Sequence, residues 1–241
     1  MLRFLLSVLL TSGLPAVTFA QVAYQDAYQE CGSLANHYGP KDYRTEGQAG
    51  RVLVESAHFT PKVESLRGGH SSITPGGDLN YLLRVFPNHP RGLMAMMKLA
   101  QKEKVDRPLG SDYTVACWFE RGERFRPDDA NVKILHGFYL LSRGRAQQAV
   151  AKLESALQLA GENAGLHYNI GLAYFQMGDY ERALQSAHRA YELRFELPGL
   201  RNKLMRVGKW RDLPAPAIAE AATTEGTGPP SSVPSVATRT E

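Results

Sequence analysis

Residues 164–197 read AGLHYNIGLAYFQMGDYERALQSAHRAYELRFEL, and the window before them, residues 130–163, reads ANVKILHGFYLLSRGRAQQAVAKLESALQLAGEN. Both windows are 34 residues long and align without a gap. Gly137 falls on Gly171, Gly144 on Gly178, Ala149 on Ala183, Ala156 on Ala190 and Leu159 on Leu193. Each window holds two helical patterns parted by a short turn, Arg143-Gly144-Arg145 or Met177-Gly178-Asp179. Gly171, Ala183 and Ala190 recur at helical spacing and let neighbouring helices approach closely, while Ile170, Tyr174, Leu184 and Leu193 fill the space between them. A lone helical hairpin cannot bury its own apolar face, but stacked hairpins can.

The stretches His167–Tyr174, Gly178–Leu184 and Ala190–Leu193 resemble the first helix, the turn with the start of the second helix, and the close of a tetratricopeptide repeat, whose period is the same. The resemblance implies an all-α fold, a short solenoid of helical hairpins that binds a protein or peptide and is not an enzyme. In that family the first helix of each repeat lines a concave groove. Carried over residue by residue, this implies a partner-binding strip of Ile134, Phe138, Leu141, Tyr168, Leu172 and Phe175, with a basic margin at Lys98 and Lys102. Some members clamp a terminal carboxylate with basic and amide side chains; here only Asn169 matches such a position. The whole chain is also similar to exported repeat proteins of Gram-negative bacteria, which implies a periplasmic or secreted home.

Working outward, a degenerate copy is expected over about residues 90–129, bounded by Pro87-Asn88-His89 and Pro127-Asp128-Asp129, with its surplus in the loop Val105–Gly110. The repeats then span about 90–129, 130–163 and 164–197, within a helical domain of residues 76–210. Upstream, Asp78 is placed to cap a helix carrying Leu79, Leu82, Leu83 and Phe86. Downstream, residues 198–210 form a closing helix with an apolar stripe of Leu200, Leu204 and Val207, and with Trp210 at its end. Residues 21–75 are punctuated by Gly and Pro and read as an irregular segment, in which Arg51–Val54 is a short strand or an apolar strip laid on the repeats. Residues 211–241 are poor in large apolar side chains, and a disordered tail is expected there.

The N-terminus carries Arg3, an apolar run from Phe4 to Leu10, and a small-x-small site at Thr18-Phe19-Ala20; residues 1–20 read as a cleavable signal peptide. An uncleaved anchor or a buried first helix is the competing reading. Once this leader is removed, no stretch is apolar and long enough to span a membrane. The formal charge is +4, but five basic residues lie between Arg201 and Arg211 with no acid among them. The rest of the mature chain is slightly acidic, which argues against a general nucleic-acid footprint. The two cysteines, Cys31 and Cys117, form a disulfide if the chain is exported, and are separate buried thiols if it is not.

No pattern for catalysis, metal or cofactor is found. The seven histidines are scattered, without His-Glu-x-x-His, and Cys-x-x-Cys is absent. Gly68–Gly77 lacks both the Gly-Lys-Ser/Thr ending of a phosphate loop and Gly-x-Ser-x-Gly, and reads as a flexible loop before a helix. His136 and His167 read as packed side chains. Three function classes follow: a binding module with a partner in its groove, a structural subunit of an envelope assembly, or an enzyme with its site in residues 21–75. The groove is open to a partner, or it is filled by residues 21–75. Deleting residues 213–241 should leave the thermal unfolding temperature unchanged, because that segment buries too little apolar surface to offset its ordering entropy. A large fall measured by circular dichroism would show that the tail packs on the repeats.

Overall fold

Capping signals set where the helices begin. The computed structural model describes residues 31–212, and among them the regular elements are ten helices. They are α1 (Gln48–His58), α2 (Pro61–Glu64), α3 (Pro75–Val85), α4 (Pro90–Glu103), α5 (Val115–Phe125), α6 (Ala130–Ser142), α7 (Ala146–Ala160), α8 (Ala164–Gln176), α9 (Tyr180–Glu192) and α10 (Gly199–Arg206). The expected signal peptide, residues 1–20, and residues 213–241 of the expected tail lie outside the described residues. Thr74, His89, Thr114, Asp129, Asn163 and Asp179 each accept a backbone N–H of the first turn that follows. Pro75 and Pro90 stand at N1 of α3 and α4, where a missing N–H costs nothing. Thr74, not Asp78, is therefore the cap of α3.

The pairs α6/α7 and α8/α9 are tight antiparallel hairpins that stack on one another through α7 and α8. Their turns place Gly144 and Gly178 at φ +72° and +76°, the left-handed region where a Cβ is strained. Gly137 and Gly171 serve a different need. A Cβ on Gly171 would lie 2.5 Å from Leu200, and one on Gly137 would lie 2.7 Å from Leu153. Ala149, Ala156, Ala183 and Ala190 are fully buried at the same joints. Ile170, Leu153, Leu184, Leu200 and Leu204 fill the remaining space. Helix α10 packs on α8 and α9, as the first helix of a further hairpin would. It ends at Arg206, so Val207 leaves the expected apolar stripe and is exposed, while Trp210 folds back beneath Arg201.

The α4/α5 hairpin is looser, because residues 104–114 separate its helices. Before it, residues 31–75 are far more ordered than the sequence suggested. Arg51–Val54 is helix, since α1 docks on α3 and burial of one face overrides the strand preference of Val52 and Val54. Val52 and Leu53 are left on the exposed face. The Gly-rich loop is pinned: Asp78 is fully buried and accepts the backbone N–H groups of His70 and Ser72, with His58 Nδ1 3.0 Å from the same carboxylate.

Three long-range ties fasten this N-terminal block to the repeats. Cys31 is bonded to Cys117, closing a loop with a sequence separation of 86, worth about 4 kcal/mol in the chain-entropy account. Arg121 is buried in α5 and its guanidinium donates to the carbonyls of Cys31 (2.7 Å), Gly32 (3.3 Å) and Ser33 (2.9 Å), under the rings of Tyr113 and Trp118. Asn88 is buried between two carboxylates, donating to Asp42 (2.7 Å) and to the α6 cap Asp129 (2.9 Å), and it accepts the N–H of Tyr43.

Gly171→Leu should lower stability by about 2–3 kcal/mol, because the side chain must displace Leu200 and press on the Ala183 carbonyl. A thermal melt matching the wild type would mean that α8 does not contact α10 as described.

Candidate functional site

Helices α4, α6, α8 and α10 lie side by side and form one inner face of the stack, with α5, α7 and α9 behind them. On this face Phe138 and Leu141 of α6, Leu172 and Phe175 of α8, and Lys203 of α10 surround a depression of about 330 Å³. The four apolar side chains are half-buried, with one side on the core and the other open to the depression. Among the described residues, its lining comes only from α6, α8 and α10. Ile134 and Tyr168, expected on the same strip, are also half-buried but lie outside it. Tyr168 stacks on Phe195, with ring centroids 4.4 Å apart. Asn169 lines the depression but donates its side-chain amide to the Gly165 carbonyl of its own helix.

The basic margin splits into two. Lys98 is exposed beside a second depression of about 350 Å³, lined also by Met94 and Leu135, and has no ion-pair partner among the described residues. Lys102 is exposed too, but its ammonium donates to the Leu66 carbonyl at 2.7 Å, so it helps hold the N-terminal block. Arg91 sits over the Phe59 ring and forms a bidentate ion pair with Glu64. Residues 59–66 thus cover the α4 end of the inner face and not the α6–α8 strip. Lys203 was legible as part of a basic closing helix, but not as a cation over the Phe175 ring at 5.6 Å; only the return of α10 onto α8 brings the two together.

Four histidines of the described residues pair with carboxylates, His167 with Glu162 at 3.2 Å among them. His89 Nδ1 accepts the Gly92 N–H, which fixes the proton on Nε2, and Nε2 donates to Glu55 at 2.9 Å. Both ring nitrogens are engaged, and burial pushes the His89 pKa below its ordinary value despite the carboxylate. His58 bonds Asp78 and stacks on Tyr81. His136 stacks on Phe119 and bonds Glu123 at 2.6 Å, as a packed histidine was expected to. Among the described residues no group of three or more His, Cys, Asp or Glu is placed to hold a metal ion. No helix among them is long and apolar enough to cross a membrane.

Two family models match the chain: "TPR repeat" over residues 139–178 and "Tetratricopeptide repeat" over residues 164–196. Two curated relatives carry the description DnaJ homolog subfamily C member 3. The mouse protein is 26% identical over 98 residues, covering 40% of this chain and 19% of its own length. The rat protein is 23% identical over 158 residues, covering 59% of this chain and 31% of its own. The chain thus spans a fifth to a third of the length of the relatives it matches. Among solved structures, a MamA RS-1 double mutant is similar with a TM-score of 0.48 and 19% identity, covering 66% of this chain and 83% of that one. A MamA MSR-1 structure gives a TM-score of 0.42 and 18% identity, covering 64% and 80%.

Glu123 yields a pH test of the α5–α6–α7 joint. Burial works to raise its pKa, but His136 at 2.6 Å and Lys152 at 2.5 Å outweigh burial and hold the value down to about 2. The folded value lies below the unfolded one, so the stabilisation is complete above about pH 4.5 and is lost as pH falls toward 2. Glu123→Gln should cost about 3 kcal/mol at pH 7 in urea titrations, and the gap to wild type should shrink by about half by pH 3. A gap that stays constant with pH would show that the carboxylate is not held in this way.

Proposed function

We propose that this chain, whose residues 139–196 are tetratricopeptide repeats, is an exported, non-catalytic interaction module of the periplasm or the secreted milieu. In this reading it receives a segment of a partner protein on the α6–α8–α10 strip. The observation that carries the reading is the depression between Phe138, Leu141, Leu172 and Phe175, whose lining includes none of the described residues 31–75. Aromatic and aliphatic side chains that are rigidly backed and half-exposed are the kind that dominate binding energy. Lys203 beside them and Lys98 at the second depression on α4 are cationic, which favours an apolar segment carrying acidic residues. The Cys31–Cys117 disulfide is compatible with an oxidising compartment. Two of the four histidines of residues 31–89 serve the packing, since His89 has no ring nitrogen left over and His58 is bonded to Asp78.

A photo-crosslinking residue at Gln176, which lines the depression, should form an adduct with one partner in the native envelope. The same group at Gln185, exposed on α9, should not. Phe138→Ala with Phe175→Ala should abolish the adduct, and Lys98→Glu should weaken it without changing the melting temperature. If the double variant folds normally and still yields the full adduct, the strip is not the docking site.

A further inference from the structure

The last helix of the stack has one covered side and one bare side. Leu200 and Leu204 of α10 are fully buried, whereas Arg201, Asn202, Met205 and Arg206 on the other side are exposed. Arg201 and Met205 stand one turn apart, with Asn202 and Arg206 in the adjoining row. Leu197 before the helix is 60% exposed, Met205 is 54% exposed, and Lys209 is exposed just beyond the helix. Between Arg194 and Lys209 five bases stand against a single acid, Glu196. Arg194, Arg206 and Lys209 make no ion pair or side-chain hydrogen bond among the described residues. Lys209 borders Asp179 and Glu181, but Asp179 is already paired with Arg182. The segment is fastened to the stack: the Tyr191 hydroxyl donates to the Leu197 carbonyl at 3.1 Å and accepts the Arg201 N–H at 3.2 Å, and Arg201 lies over the Trp210 ring.

We propose that this bare end of the stack rests on an anionic phospholipid surface. Arg194, Arg206 and Lys209 face headgroup phosphates, while Leu197 and Met205 enter the interface among them. Cations alone would suit any polyanion. Aliphatic side chains exposed between the cations suit a layer with phosphates above and acyl chains beneath. Arginine and lysine lay their apolar stems along such a boundary and keep their charges in water. Single-stranded nucleic acid would need aromatic faces on which bases stack, and the ring at this end, Trp210, is covered by Arg201. The contact is peripheral and separate from the docking strip, since Lys203 turns to Phe175 on another side of α10.

The test is co-sedimentation of the full chain with two vesicle types, phosphatidylcholine alone and phosphatidylcholine with roughly one third phosphatidylglycerol. Partition onto the anionic vesicles should be at least tenfold stronger and should fall as salt is raised. Each cation at such a surface contributes about a fivefold gain, so Arg206→Gln with Lys209→Gln should weaken partition at least tenfold. Met205→Gln should weaken it at least threefold, and all of these variants should melt as the wild type does, because the positions are exposed. Lys62→Gln with Arg107→Gln, which removes the same charge from exposed sites on α2 and the α4/α5 loop, should change nothing. Equal partition onto both vesicle types, no partition onto either, or equal losses in the two double variants would overturn the inference. Tight capture of polyglutamate or duplex DNA with the vesicles left unbound would also overturn it, and would assign the face to an acidic macromolecule.

Discussion

The structure depends on how near two helices can come. At Gly171 the gap to Leu200 has no room for a single methyl group, and at Gly137 the gap to Leu153 is nearly as small. With alanines at the facing positions, helix backbones close to a distance at which leucines interdigitate. Each hairpin then offers an apolar side that only another hairpin can cover, so the stack must be finished at both ends. At the C-terminal end α10 completes it, with Leu200 and Leu204 turned inward and basic side chains outward. At the other end the period is lost, and α1–α3 close the stack by other means.

There polar ties take over part of what apolar repetition does elsewhere. Arg121 collects three carbonyls of a non-helical segment, Asn88 joins the start of the chain to the cap of α6, and Asp78 gathers a loop rich in glycine. Hydrogen bonds to charged groups contribute about 1.5–3 kcal/mol each when well made. Unlike a hydrophobic contact, each also specifies one partner and one geometry, which suits a junction that occurs once.

This division explains what could be read from the amino acids. The second and third hairpins were legible because Gly137/Gly171 and Ala149/Ala183 state the same packing twice. Phe138, Leu141, Leu172 and Phe175 were legible as a group because that register puts them on one side of successive first helices. The ties of the N-terminal block were not. Asn88 reaches residues 46 and 41 positions away, and Arg121 meets carbonyls about 90 positions away, so no local period announces them. The Cys31–Cys117 bond was legible only as a matter of counting and compartment. Val52 and Val54 misled because β-branched residues favour strands in isolation, and docking on α3 decided otherwise.

The covalent bond from Cys31 to Cys117 also divides the molecule mechanically. A pull on the two ends of the described chain enters at residue 31 and passes straight through the sulfurs into α5, so α1–α4 sit in a closed loop that carries no load. The tension falls on the end of α5 and on α6 to α10, which are held to one another by apolar stacking and a few polar ties such as Tyr174 to Glu154. Extension should therefore begin at α10 and travel inward one hairpin at a time, while the α1–α5 block stays folded as a ballast. A partner seated across α6 and α8 would lie in the part that yields, and force on the C-terminus would release it before the block at the other end had moved.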